Sequence, residues 1–111
     1  FAGATELGGA HSGNDEAHWT TDEGMPMYYN IQKELQSGAL TRHWDAVAQV
    51  PYATFIGGGL VSYEDEESMG LKADYINENQ LGGIIIWEMS GDIQDDLSTP
   101  LIDVLHEALN K

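Results

Sequence analysis

The feature that most restricts the fold is the apolar run GIIIW at residues 83–87. Its hydrophobic residues are continuous, whereas a strand with one wet face alternates apolar and polar residues. A continuous run of this length is typical of a strand buried on both faces, as in a parallel sheet covered by helices. It is much shorter than the roughly 18 apolar residues of a membrane span. We therefore expect a buried parallel strand here.

Helical patterns flank this run on both sides. The acidic sequence EDEE at residues 64–67 favours a helix start through the helix dipole and predicts a helix over about residues 66–79. Thr99 as N-cap and Pro100 in the first turn predict a final helix over about residues 99–110. Helix, parallel strand, helix is the rhythm of an α/β barrel or a doubly wound sheet. The inner face of the first helix is predicted to carry Met69, Ala73 and Ile76.

The first two thirds of the chain give weaker patterns. Residues 1–24 are rich in small and acidic residues and are predicted to be loop. A helix is expected between Pro26, which suits a first turn, and Gly38, which can end it. Two β-prone runs at residues 50–55 and 60–63 flank a three-glycine turn and predict a hairpin, with Pro51 at its edge.

One buried parallel strand needs parallel neighbours, and none is evident in 111 residues. A complete (β/α)8 barrel takes roughly 250 residues. We therefore expect the chain to be a fragment, or to pair with material that it does not contain. Its first residues, FAGA, also lack the basic and apolar regions of a signal peptide.

Composition narrows the classes of partner. With 19 acidic and 4 basic residues the formal net charge is −15, so nucleic acid and anionic membranes are unfavourable partners. The charge suits a neutral polysaccharide, although solubility or adaptation to salt explains it more simply. The absence of cysteine excludes a thiolate metal site, and the four histidines lack metal-ligand spacing. We predict neither a cofactor nor a metal.

Three segments, in this order, resemble the C-terminal part of chitinases of glycoside hydrolase family 18. They are residues 43–53 (HWDAVAQVPYA), residues 60–68 (LVSYEDEES) with Lys72, and residues 81–92 (LGGIIIWEMSGD). The resemblance implies an α/β fold, namely the C-terminal fragment of a (β/α)8 TIM barrel with a small α+β insertion domain. Residues 1–63 would be that insertion, and residues 64–111 the seventh helix, the eighth strand (82–89) and the eighth helix.

The resemblance also assigns two site residues. Trp87 corresponds to the tryptophan that floors the sugar site beside the cleaved bond, and its place near a strand's C-terminal end agrees with where barrel active sites assemble. A flat indole offers a large apolar face to a pyranose ring. A core tryptophan that closes the barrel is the alternative. Glu88 points to the other face of the strand and is expected to support the site through an ion pair or hydrogen bond.

The family's catalytic signature, Asp-x-x-Asp-x-Asp-x-Glu, does not occur in this sequence. In this family the substrate's N-acetyl group attacks the anomeric carbon, and the final Glu of the signature is the general acid. The resemblance thus implies a chitinase that acts on β-1,4-linked N-acetylglucosamine polymers and is secreted. We predict no catalytic residue in this chain, no activity from it alone, and the N-terminal part of the same barrel as a partner. The alternative is a non-catalytic, chitinase-like carbohydrate-binding or interaction module.

Two smaller hypotheses concern side chains to which the resemblance assigns no role. Asp92 is expected to cap the following loop, and a calcium site formed with Asp95 and Asp96 is weakly indicated because the spacing differs from an EF-hand loop. Three aromatic residues either line a sugar groove or, more often for such residues, fill the core: Tyr28, Tyr29 and Trp44.

Overall fold

The computed structural model describes residues 1–110, which form three α-helices and a three-stranded sheet. In chain order the elements are α1 Tyr28–Ser37, β1 Leu40–Asp45, β2 Val50–Phe55, β3 Leu60–Ser62, α2 Glu66–Glu78, a 3₁₀ helix Met89–Asp92 and α3 Pro100–Leu109. The predicted helices are confirmed to within a few residues at each end. Residues 1–24 contain no helix or strand, as predicted.

The sheet is antiparallel with the order β1-β2-β3. The predicted hairpin is its β2–β3 half, in which Ala53 lies opposite Val61. Strand β1 was not predicted. Its sequence LTRHWD buries only Leu40, so neither an apolar run nor a clean alternation marks it, and its pairing with β2 along six residues defines it instead.

The expectation that Pro51 lies at the edge of the sheet is wrong, because β2 is the central strand and Pro51 lies opposite Trp44 of β1. Proline has no N–H to donate to a ladder and is tolerated near strand ends. Pro51 is the second residue of β2, outside the Tyr52–Thr54 stretch that pairs with β3. Its position therefore leaves the paired part of the β2–β3 ladder intact.

The main core lies between α1, the sheet and the N-terminal loop. Trp19 reaches it from the loop and Ile31 from α1, and both are almost fully buried. Gly38 ends α1 in the left-handed conformation at φ 82°, which glycine adopts without steric cost. The core cluster consists of Trp19, Ile31, Leu40, Ala53 and Val61.

Helix α2 begins with a reciprocal cap. The Asp65 carboxylate accepts the Ser68 backbone N–H at 3.0 Å, and the Ser68 hydroxyl accepts the Asp65 N–H at 3.0 Å. Helices α2 and α3 pack against each other. Of the predicted inner face of α2, Ala73 and Ile76 are buried and Met69 is partly buried.

The predicted strand at residues 82–89 is not a strand here. Residues 81–86 carry no regular secondary structure, and the described residues supply no strand beside them. A lone extended segment has no ladder partner, so its backbone groups stay unpaired. The described chain is accordingly a small α+β fold with an antiparallel sheet. The barrel, and its boundary between residues 63 and 64, stay predictions.

Candidate functional site

A cleft of about 490 Å³ separates the two halves of the chain. One side consists of the N-terminal loop, the start of α1 and strand β3, and the other of residues 86–92 with α2 and α3. Its lining is mainly apolar with a few polar groups, which is the usual composition of a small-molecule site. Its lining includes Asn14, Trp19, Gly24, Met25, Tyr28, Tyr63, Trp87, Glu88 and Asp92.

The exposure of residues 84–87 alternates with a period of two. Ile84 and Ile86 are 39% and 38% exposed, whereas Ile85 and Trp87 are 96% and 95% exposed. Successive side chains of an extended backbone point to opposite faces. Ile84 and Ile86 therefore form the more covered face of the segment, and Ile85 and Trp87 form the open face. The expected burial on both faces is therefore wrong for this chain.

Trp87 and Glu88 both line the cleft, and both are exposed. The Glu88 carboxylate accepts a hydrogen bond from the Ser90 hydroxyl, and the Trp87–Glu88 peptide bond is cis. Because the side chain is almost fully exposed, no other side chain covers the apolar surface of the Trp87 indole. A single exposed hydrophobic residue is common on proteins, but two on one face of one segment mark a surface that another group can cover.

Asp92 is buried and caps α3. Its two carboxylate oxygens accept the N–H groups of Leu101 at 3.1 Å and Ile102 at 2.9 Å. The predicted cap residue, Thr99, precedes the helix but makes no such bond, because its hydroxyl donates to the Asp103 carboxylate at 3.1 Å. Asp92 was expected to cap the following loop, and its carboxylate caps α3 instead.

The weak calcium hypothesis finds no support at these acids. Asp95 forms an exposed ion pair with Lys33 at 3.1 Å, and Asp96 accepts hydrogen bonds from Ser98. The pKa of Asp96 is lowered by those bonds from Ser98. Within residues 1–110 no group of three or more potential ligands is arranged to hold a metal ion. Asp95 and Asp96 are thus engaged in an ion pair and in hydrogen bonds within the chain.

Two neighbouring tyrosines lie beside the cleft, and one of them is hydrogen-bonded across it to α2. The Tyr28 hydroxyl donates to Glu66 of α2 at 2.7 Å, and the rings of Tyr28 and Tyr63 lie 6.4 Å apart. Burial raises the pKa of Tyr28, and the hydrogen bond to Glu66 adds to the effect. Burial, followed by the charge of Asp65, raises the pKa of Tyr63 to about 12. Both hydroxyls therefore stay protonated at neutral pH.

Of the aromatic residues whose place the sequence left open, Tyr28 is buried and lines the cleft. Tyr29 and Trp44 are partly buried and lie outside the cleft lining, with Trp44 beneath the Arg42 guanidinium at 5.1 Å. Sequence reasoning missed Asp15, which is 2% exposed. Its i, i+3 spacing to His18 was the available signal.

Comparison with known proteins identifies the family of the chain. The chain matches Glycosyl hydrolases family 18 over residues 2–92. It is 34% identical over 84 residues to Chitinase A1 of Niallia circulans, covering 74% of this chain and 12% of that protein. It is 32% identical over 100 residues to Chitinase B of Serratia marcescens, covering 88% of this chain and 19% of that protein.

Among solved structures, the chain resembles YKL-39 in crystals grown with chitooligosaccharides (GlcNAc4), with a TM-score of 0.84 and 28% identity. That similarity covers 97% of this chain and 30% of the other, so it includes α3, which the family match does not reach. The fold is chitinase-like. The chain belongs to glycosyl hydrolase family 18, and it spans less than a fifth of the length of these two curated relatives.

Among the described residues, no helix is long and apolar enough to cross a membrane. The family match includes Trp87 and Glu88, and both residues line the cleft.

Proposed function

We propose that this chain is part of a secreted chitinase that hydrolyses β-1,4-linked N-acetylglucosamine polymers with retention. In this proposal the chain supplies one wall of the substrate groove and the Trp87 platform. Membership of family 18 and the similarity to two bacterial chitinases support the substrate class. The similarity to a protein crystallised with chitooligosaccharides supports a chito-oligosaccharide ligand.

The observation that carries the proposal is the open face of residues 84–87. Ile85 and Trp87 are almost fully exposed, although both are large and apolar. In a barrel, inward-facing strand residues fill the interior, and those at the C-terminal end reach the active site. We propose that preceding parts of the same barrel cover Ile85, while Trp87 stays open to sugar. The helices α2 and α3 are then the seventh and eighth of the barrel.

Trp87 acts in this proposal by stacking and takes no part in proton transfer. The indole face contacts the C–H face of a pyranose ring, and its N–H is free to find a polar partner. Glu88 supports the site through its carboxylate, which already accepts a hydrogen bond from Ser90. Neither residue replaces the general acid, which the family signature supplies and this sequence lacks. We therefore propose that the chain alone does not cleave chitin.

The experiment reconstitutes the barrel. The 111-residue chain is mixed with the polypeptide that its gene encodes before Phe1, and release of chitobiose from chitohexaose is measured. We expect activity from the mixture and none from this chain alone. Trp87→Ala should lower kcat/KM by roughly twofold to tenfold, the equivalent of one aromatic contact of about 0.5–1.5 kcal/mol.

Trp44→Ala is the matched control, because Trp44 is partly buried outside the cleft lining. Activity that Trp87→Ala leaves undiminished would contradict the platform role. Binding of chitohexaose without cleavage, together with an upstream sequence that lacks Asp-x-x-Asp-x-Asp-x-Glu, would instead support a non-catalytic carbohydrate-binding module.

A further inference from the structure

One wall of the cleft is formed by residues 14–25, which have no helix or strand. Such a segment must be held by side chains if it is to keep one conformation, because it lacks a ladder of backbone bonds. Four of its residues line the cleft: Asn14, Trp19, Gly24 and Met25. The conformation of residues 14–25 therefore determines the shape of that wall.

Asp15 organises the beginning of this wall from inside the fold. Its side chain is almost fully buried, and its Oδ1 atom accepts the His18 backbone N–H at 3.2 Å. Its Oδ2 atom lies 2.8 Å from Nδ1 of the His18 ring. The Asp15 carbonyl also accepts the Trp19 N–H at 3.0 Å, which starts the turn that carries Trp19 into the core. Both oxygens of a buried carboxylate are thus used within one turn.

The Asp15–His18 pair is pressed against the turn between β2 and β3. The His18 ring stacks on Phe55 with centroids 3.9 Å apart and planes 10° apart. Gly59, at φ 130°, leaves no room for a side chain, since a Cβ atom there would lie 2.6 Å from Asp15 Oδ2 and 3.2 Å from His18 Nδ1. This contact accounts for one of the three consecutive glycines, which fit no phosphate-binding motif.

We propose that the Asp15–His18 pair is a positioning device that fixes the cleft wall of residues 14–25 and thereby sets how tightly the cleft holds a β-1,4-linked N-acetylglucosamine chain. This inference rests on the proposed function. His18 joins the wall to the sheet through Phe55, and Gly59 lets the two approach. The pair itself lies outside the cleft lining, so it acts through the wall and does not touch the sugar.

Two glycines of the same turn provide a matched test. Gly59→Ala forces a methyl group onto the pair, whereas Gly57→Ala, at φ 93°, has nothing within 4 Å of the added Cβ. Both substitutions carry the strain of a positive φ, so their difference reports the contacts of the added methyl group with Asp15, His18 and the Phe55 ring on which His18 stacks. Amide hydrogen exchange of the full chain should accelerate across residues 14–25 in Gly59→Ala and much less in Gly57→Ala.

Asp15 is tested by truncation and by a conservative replacement. Asp15→Ala removes both acceptors, whereas the side-chain amide that Asp15→Asn introduces can accept the His18 N–H and donate to the other ring tautomer. We expect exchange across residues 14–25 to rise in Asp15→Ala and to return toward the original rates in Asp15→Asn. The affinity for chitohexaose, from NMR titration of the chain, should fall roughly threefold to tenfold in Asp15→Ala and Gly59→Ala, the loss expected for one or two hydrogen bonds.

The outcomes separate the two proposals. Unchanged exchange across residues 14–25 in Asp15→Ala, or equal effects of Gly57→Ala and Gly59→Ala, would overturn the positioning role. Faster exchange with unchanged affinity would overturn the link between the wall and the sugar. If the unsubstituted chain and its reconstituted barrel both fail to bind chitohexaose, the proposed function fails, and the exchange pattern alone then decides whether the pair fixes the wall.

Discussion

The two halves of the chain use the same kind of residue in opposite ways. In residues 1–63, Trp19 is 4% exposed and packs among α1 and the sheet, whereas in residues 64–110, Trp87 is 95% exposed at the cleft. The first half closes a core of its own. The second half packs two helices together and leaves one face of its most hydrophobic segment open. Hydrophobicity alone therefore does not determine burial, because burial also requires a partner surface within reach.

The largest expected effect compares these two tryptophans. Trp19→Ala should lower the free energy of unfolding by about 3–5 kcal/mol, since it empties a buried site. Trp87→Ala should change it by less than about 0.5 kcal/mol, as is usual for exposed positions. Urea unfolding of the isolated chain, followed by circular dichroism, measures both. Equal losses would mean that Trp87 is buried in solution and would contradict the open face described for residues 84–87.

A smaller effect tests how the second half holds together without a paired strand. Asp92→Ala removes the carboxylate that caps α3 and should cost about 1–2 kcal/mol, the usual range for a helix cap. Asp95→Ala is the matched control because its ion pair with Lys33 is exposed, and it should cost less than about 1 kcal/mol. Thermal melts compare the variants. A cost for Asp92→Ala no greater than for Asp95→Ala would argue against the cap.

The effect that is smallest at neutral pH concerns the tyrosine pair beside the cleft, and it appears only in alkali. The pKa of Tyr63 is about 12 in the folded chain and 10.0 without its surroundings. A raised pKa of a folded group contributes stability that is complete below about pH 10 and is lost as the pH rises from about 10 to about 12. The loss of stability over this range should become shallower in Tyr63→Phe and stay unchanged in the exposed-site control Tyr75→Phe. Urea midpoints measured from about pH 9 to about pH 12 test this expectation. Equal slopes in the two variants would contradict it.

Local signals predicted most elements of the fold. Gly38 ends α1 as the sequence indicated, because the chemistry of a helix end depends on a few adjacent residues. Strand β1 was missed because pairing with β2, and not its own pattern, makes it a strand. The burial of Asp15 was missed for a similar reason, since its contact with Gly59 joins residues far apart in sequence.

The apolar run at residues 83–87 shows the limit of periodicity. Its composition predicted a strand buried on both faces, and in this chain it is extended with one face open. The run encodes a preference for burial but not the partner that provides it. For the cleft, the family resemblance indicated Trp87, and the sequence left Tyr28 open between groove and core. The lining residues Asn14, Trp19 and Met25 came only from the folded structure.

The most direct test of the open face follows the three tryptophan indole N–H signals by NMR. The chain, labelled with the heavy nitrogen isotope, is combined with its unlabelled upstream polypeptide and titrated with chitohexaose. If Trp87 is the sugar platform, its indole signal should shift the most, and that of Trp44, which lies outside the cleft lining, should stay in place. A saturable shift of the Trp44 signal with an unmoved Trp87 signal would contradict the central claim.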